Sequence, residues 1–110
     1  MNITKKIANY EHQRKKWLMQ NEQYCIFCGE YCPYGDLAHI IRKSQTSKKH
    51  SRLELFTMDE NNGLAHRECH RVWDDYPKLI ITLHRHRECL KIMKKIDEEI
   101  YNQFVLNMEK

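Results

Sequence analysis

The stretch Asn61-Asn62-Gly63-Leu64-Ala65-His66-Arg67-Glu68-Cys69-His70-Arg71 decides how this chain is read. It closes on His66-x-x-Cys69-His70, and upstream lie Cys25-x-x-Cys28 and an isolated Ala38-His39-Ile40-Ile41. Two pairs of soft ligands, each separated by two residues, can close a tetrahedral zinc site. Cys25 and Cys28 would supply two thiolates from a knuckle turn. His66 and Cys69 would supply the second pair from the start of a helix, where positions three apart share a face. The commoner pattern here is a second Cys-x-x-Cys, which makes Cys32 a competitor for the fourth position; its other reading is a small buried side chain. With His66 on the metal, His39 and His70 are left over for other work. Were His70 to replace His66, no site for a second metal would remain.

The totals set bounds on what such a chain can be. At 110 residues it is expected to form one domain, with an apolar core too small to be comfortable alone. A structural metal offsets part of that deficit, because its binding adds folding free energy directly. Nineteen Lys+Arg against 15 Asp+Glu give a net charge of +4, compatible with nucleic acid without requiring it. Five cysteines, an odd number with Cys25, Cys28 and Cys32 crowded together, argue for metal rather than disulfides and for a reducing compartment. The start, Met1 to Ile7, is followed by no apolar run, so a cytoplasmic location without a signal peptide is expected. Leu79-Ile80-Ile81, like every other apolar run in the sequence, is far too short to span a bilayer.

Working outward, residues 1–23 read as an N-terminal helix from Thr4, a plausible cap, with Ile3, Ile7, Tyr10, Arg14, Trp17 and Leu18 on one stripe. The Arg14-Lys15-Lys16 cluster reads as a solvated face before it reads as a phosphate contact. Residues 24–75 would form the zinc-braced core. Short β segments are expected around Tyr24–Ile26 and Leu37–Ile41, a second strand at Leu53–Phe56, and a helix from near Leu64 to Asp75 with Val72 and Trp73 in its core. Between them, Arg42 to Arg52 has the polar, basic character of a loop, either mobile or gripping a sugar-phosphate backbone. Pro77 suits the first turn of a last helix over 76–110, whose apolar stripe would pack on the first helix. His86 and Cys89 repeat the three-residue spacing but have no second pair, so they read as exposed helix surface.

Taken together, Cys25-x-x-Cys28, Ala38-His39-Ile40-Ile41, Asn61 and His66-x-x-Cys69-His70-Arg71-Val72-Trp73-Asp74 resemble the HNH nuclease family over about half of the chain. No single piece is decisive; their order and spacing together are specific. The resemblance implies a small α+β fold, a treble-clef-like ββα-metal core with a zinc knuckle, flanked by the N-terminal and C-terminal helices. It implies a metal-dependent endonuclease that hydrolyses DNA phosphodiesters, nicking or cutting the duplex to leave 5′-phosphate and 3′-hydroxyl ends. His39 would be the general base, suited by a pKa near neutrality. His70 would bind a divalent cation, Mg²⁺ or a similar ion. Asn61 would fix the loop that aims His39. The family's letters Asn-Gly-Leu select Asn62 instead, so both asparagines stay open.

Many family members place a metal-binding acidic residue or histidine just before the catalytic histidine; here Ala38 stands there and cannot ligate. Asp36 is the nearest substitute. Lys43, Lys48, Lys49 and Arg52 are candidates for backbone contact, and Arg71 for clamping a phosphate. DNA is the expected partner, with no membrane, and a homodimer or a larger DNA-processing assembly fits the small size, as does a phage or mobile-element origin. The contrasting reading, which Ala38 favours, is a non-catalytic zinc module that binds nucleic acid or protein. RNA ranks lower as a substrate, for want of an aromatic stacking platform in the sequence.

Overall fold

Two strands that lie far apart in the chain pair antiparallel: β1 (Asp36–His39) with β2 (Asn62–Ala65), in the register Asp36↔Ala65 to His39↔Asn62. The computed structural model, which describes residues 2–110, makes them the whole sheet of a small α+β fold. Before them runs α1 (Ile3–Asn21), capped by Asn2, whose side chain accepts from the Lys5 N–H. The cap therefore lies two residues earlier than the expected Thr4. Between the strands come α2 (Arg52–Phe56) and a 3-10 turn over Asp59–Asn61. After them come α3 (Arg67–Asp75), a 3-10 turn over Pro77–Thr82, α4 (His86–Ile96) and α5 (Glu98–Glu109).

Several elements differ from the sequence reading, each for a local reason. Leu53–Phe56 is helical, not a strand. Ser51 caps it by accepting from the Glu54 N–H while its hydroxyl donates to the Glu54 carboxylate, a Ser-x-x-Glu capping box that outweighs the apolar letters. The second strand is instead Asn62–Ala65, where the start of the third helix was expected. All four of its residues are buried. Gly63 permits it: a Cβ there would come within 2.2 Å of the Ile26 side chain, so only glycine lets the knuckle close over the strand. The segment near Tyr24–Ile26 makes only a single bridge, Tyr24↔Tyr31.

The C-terminal stripe is interrupted. Pro77–Thr82 forms a 3-10 turn and α4 begins only at His86, while Asp97 accepts from the Ile100 N–H and starts α5 afresh. The one helix expected over 76–110 thus becomes a 3-10 turn and two helices that pack on each other. They do not lie chiefly on α1. Phe104 of α5 rests on Trp73 of α3, ring centroids 4.9 Å apart, and Trp73 stacks in turn on Phe27 of the knuckle at 4.9 Å. Trp73 thus occupies the centre of the core, as its letters implied, and its indole donates to the Ile40 carbonyl at 2.9 Å. The basic loop after β1 is anchored rather than loose: Ser47 donates to Asp97, and His50 Nε2 lies 3.0 Å from the Ile96 carbonyl. No helix among the described residues is long and apolar enough to cross a membrane.

Candidate functional site

The knuckle begins where the chain leaves α1. Gly29 adopts φ +81°, and its N–H donates to the Cys25 carbonyl at 2.8 Å, turning the backbone so that Cys25 and Cys28 face one point. The Ile26 N–H donates to Leu64 of β2 at 2.8 Å and fixes the knuckle on the sheet. One residue past β2, His66 opens α3, and Cys69 follows one turn on. The ligand atoms of Cys25, Cys28, His66 and Cys69 all lie within 4.8 Å of one another. A tetrahedral zinc with ~2.3 Å bonds to sulfur needs ligands ~3.8 Å apart, so small side-chain adjustments close the shell. The group is therefore a Cys3His set able to hold a structural metal such as zinc.

The outer contacts fit the same purpose. His66 Nδ1 is 3.3 Å from Cys28 Sγ, while Nε2 is 3.0 Å from the Tyr31 carbonyl. A carbonyl at Nε2 demands a proton there and leaves Nδ1 as the donor atom for a metal. Burial opposes ionisation of Cys25, yet the backbone N–H groups of His66, Cys28 and Phe27 hold its thiol below the ordinary value. Burial, then the charges of Cys25 and Cys28, push Cys69 up to about 12. A cation among the sulfurs reverses that repulsion. Cys32, the competitor, is buried outside the group. Cys89 is buried too, not exposed as its spacing had implied, and its thiol donates to the Ile26 carbonyl.

A second cluster runs along β1, from Asp36 at its start, beside the Cys3His group, to His39 at its end. His39 is the last residue of that strand, and its ring meets Phe56 edge-on at 5.5 Å. Its Nε2 lies 3.1 Å from Glu11 Oε2 of α1, out of line for a hydrogen bond. Burial lowers its pKa; Glu11 opposes this, and the charges of Lys43 and His70 add to the lowering. His70, on the first turns of α3, stands between two carboxylates: Nε2 is 2.9 Å from Asp74 and Nδ1 3.5 Å from Asp36. The Asp74 hydrogen bond raises its pKa despite partial burial. The charge of His70 reaches His39, and the surroundings of the two rings drive them in opposite directions.

Both asparagines are structural staples. Asn61 is fully buried; its Oδ1 accepts from the Ile41 N–H at 2.6 Å, and its Nδ2 donates to the Ile41 and Leu55 carbonyls at 3.2 Å. It thereby fixes the backbone two residues past His39. Asn62 is directly opposite His39 in the sheet, but its amide donates to Phe56 and Met58. Ala38 is buried and offers no ligand.

The basic candidates divide. Lys43 pairs with Glu11 at 2.8 Å, beside His39, and Arg52 donates to the Lys43 carbonyl while lying over Phe56. Lys48 pairs with Glu99 at 3.5 Å, and Lys49 and Arg71 are exposed. Sequence reasoning missed Glu11 altogether, and Asp74 entered it only as the last letter of the motif. Asp74 carried a usable signal, four residues beyond His70 on one helix face; Glu11 carried none. No protein-family model, no curated protein and no solved structure matches this chain.

Proposed function

We propose that this protein is a metal-dependent endonuclease of the HNH type, acting on DNA with a metal-braced ββα core made of β1, β2 and α3. What supports the reading is one juxtaposition: the helix that gives His66 and Cys69 to the Cys3His group also gives His70, which shares its surroundings with His39 at the end of the paired strand. His39, kept neutral by burial, would take the proton from the attacking water. Asn61 holds the turn behind it, and Trp73 holds the Ile40 carbonyl.

Among the described residues only the Cys3His group brings three or more ligand atoms together, so no second cage is built from protein alone. A hard divalent ion needs only one or two protein ligands when water and phosphate oxygens complete its shell. His70 and Asp36 are the pair that would hold it. When bound, such an ion polarises the phosphoryl oxygen and stabilises charge on the leaving 3′ oxygen. Arg71 and Lys49, both exposed, are free to meet backbone phosphates.

The test is nicking of supercoiled plasmid by the zinc-loaded protein with Mg²⁺ or Mn²⁺, beside His39→Ala. The expected outcome is metal-dependent nicking in the wild type alone, with zinc content and circular dichroism the same in both. Binding of DNA without cutting under every divalent ion would replace this reading with a non-catalytic zinc module, for which the buried Ala38 speaks.

A further inference from the structure

We propose that Glu11, on the N-terminal helix and outside the motif, is a positioning residue that sets the tautomer and orientation of His39; the inference rests on the nuclease reading above. Residues 7, 11, 14 and 18 fall on one face of α1, and Ile7 and Leu18 are buried there. The same face carries Glu11 and Arg14, where apolar side chains would be the default. A carboxylate turned inward is costly without partners. Glu11 has two: Oε2 at 3.1 Å from His39 Nε2, and Oε1 at 2.8 Å from Lys43 Nζ.

The geometry assigns different jobs to the two ring nitrogens. His39 is only 11% exposed and Glu11 20%. Nε2 is sealed from solvent and faces the carboxylate, whereas Nδ1 is not among the sealed atoms. A carboxylate opposite Nε2 favours the proton on that nitrogen and leaves the Nδ1 lone pair to accept one. When Nδ1 takes the proton of the attacking water, the resulting imidazolium has a negative oxygen 3.1 Å from its Nε2 to compensate its charge. Glu11 itself gains and loses no proton. Lys43 holds the other oxygen and keeps the carboxylate from swinging into solvent. The 3.1 Å contact is out of line, as such contacts often are before substrate binds.

The role is orientation and charge compensation, the same logic by which a carboxylate behind a histidine serves other hydrolytic sites.

Two measurements on the zinc-loaded full chain test it. Long-range ¹H–¹⁵N correlation spectra of wild type, with His39→Ala to assign the ring, should show His39 with its proton on Nε2. Glu11→Gln should weaken that preference. In the plasmid assay, Glu11→Gln should nick about 10- to 100-fold more slowly than wild type, with unchanged zinc content and melting temperature. A wild-type His39 protonated on Nδ1 overturns the proposal, as does Glu11→Gln nicking within twofold of wild type while His39→Ala is inactive. Wild-type protein that never nicks defeats the nuclease reading instead, and the spectra then decide separately whether Glu11 governs the His39 ring.

Discussion

The Cys3His group and the histidine cluster that adjoins it along β1 are built in contrasting ways. In the Cys3His group, four ligand atoms point at one another with no charged side chain between them. In the histidine cluster every imidazole already has a carboxylate neighbour: Glu11 at His39, Asp36 and Asp74 at His70. The first arrangement is unstable until something positive fills it, which is the signature of a site whose ligand is part of the fold. The second is electrostatically satisfied and exchangeable, suited to a substrate or ion that comes and goes. On the proposed reading, the sulfur cluster would hold the structure and the imidazole cluster would carry the chemistry.

The largest effect that can break this contrast is metal removal. Structural zinc contributes roughly 10–16 kcal/mol of apparent free energy in small zinc domains, against a typical total stability of about 5–15 kcal/mol. Strong chelation, or Cys25→Ser, should therefore abolish cooperative unfolding and most helical circular dichroism at 25 °C, and zinc should restore both to the wild type. Retention of a sharp thermal transition without metal would show that the Trp73–Phe27–Phe104 stack holds the fold by itself, and the first half of the comparison would fail.

The same contrast explains what was readable from letters. The sulfur cluster is composed of two local pairs, Cys25-x-x-Cys28 and His66-x-x-Cys69, whose spacing is itself the geometry; its four members were all legible. The core position of Trp73 followed from an equally local pattern, whereas the small α+β character and an asparagine behind His39 came with the family resemblance, which left Asn61 and Asn62 open until the hydrogen bonds of Asn61 to Ile41 were seen. Failures came where distant contacts decided. Asn62–Ala65 reads as the approach to a helix, and only its pairing with β1 makes it a strand. Leu53–Phe56 reads as a strand to anyone who overlooks Ser51 and Glu54. Glu11 is 28 residues from His39 along the chain and looks like any other polar position on α1; no spacing rule connects the two.

Next in size is His39→Ala. Loss of a general base costs about a hundred- to ten-thousandfold in rate, so nicking should fall by at least that lower factor with the fold intact. A His70→Ala variant should lose activity as well, but part of it should return at high divalent ion, because water and phosphate can replace one ligand. Equal, metal-insensitive loss in both would merge the two roles and weaken the distinction between them.

The asparagines sharpen the comparison through stability. Asn61→Ala strips hydrogen bonds from the Ile41 N–H, Ile41 carbonyl and Leu55 carbonyl, all buried, and should cost about 3 kcal/mol in denaturant unfolding. Asn62→Ala loses contacts to two carbonyls only and already has an unpaired Oδ1, so about 1 kcal/mol is expected. Zinc affinity should survive both. The reverse ranking would move the motif's asparagine role to Asn62.

The smallest expected effect is a shift in the acid limb of nicking, and its sign is the informative part. His70 is raised by Asp74 and must lose its proton before an ion can bind, so at limiting metal the acid limb belongs to His70. Saturating metal removes that dependence and exposes His39, whose pKa lies below the ordinary ~6.5 because burial disfavours its charged form. Activity at saturating metal should therefore persist as pH falls to about 6.5 and decline only below it. Glu11 opposes the lowering and Lys43 adds to it, so the two substitutions must move the midpoint in opposite directions: down for Glu11→Gln, up for Lys43→Met. Both displacements should be small, since both side chains reach solvent and their charges are partly screened. Opposed shifts require both charges to act on the same ring, a pattern that general loosening of the fold would not reproduce. Parallel shifts would mean that the limb reports some other group, and His39 would lose its claim to be the base.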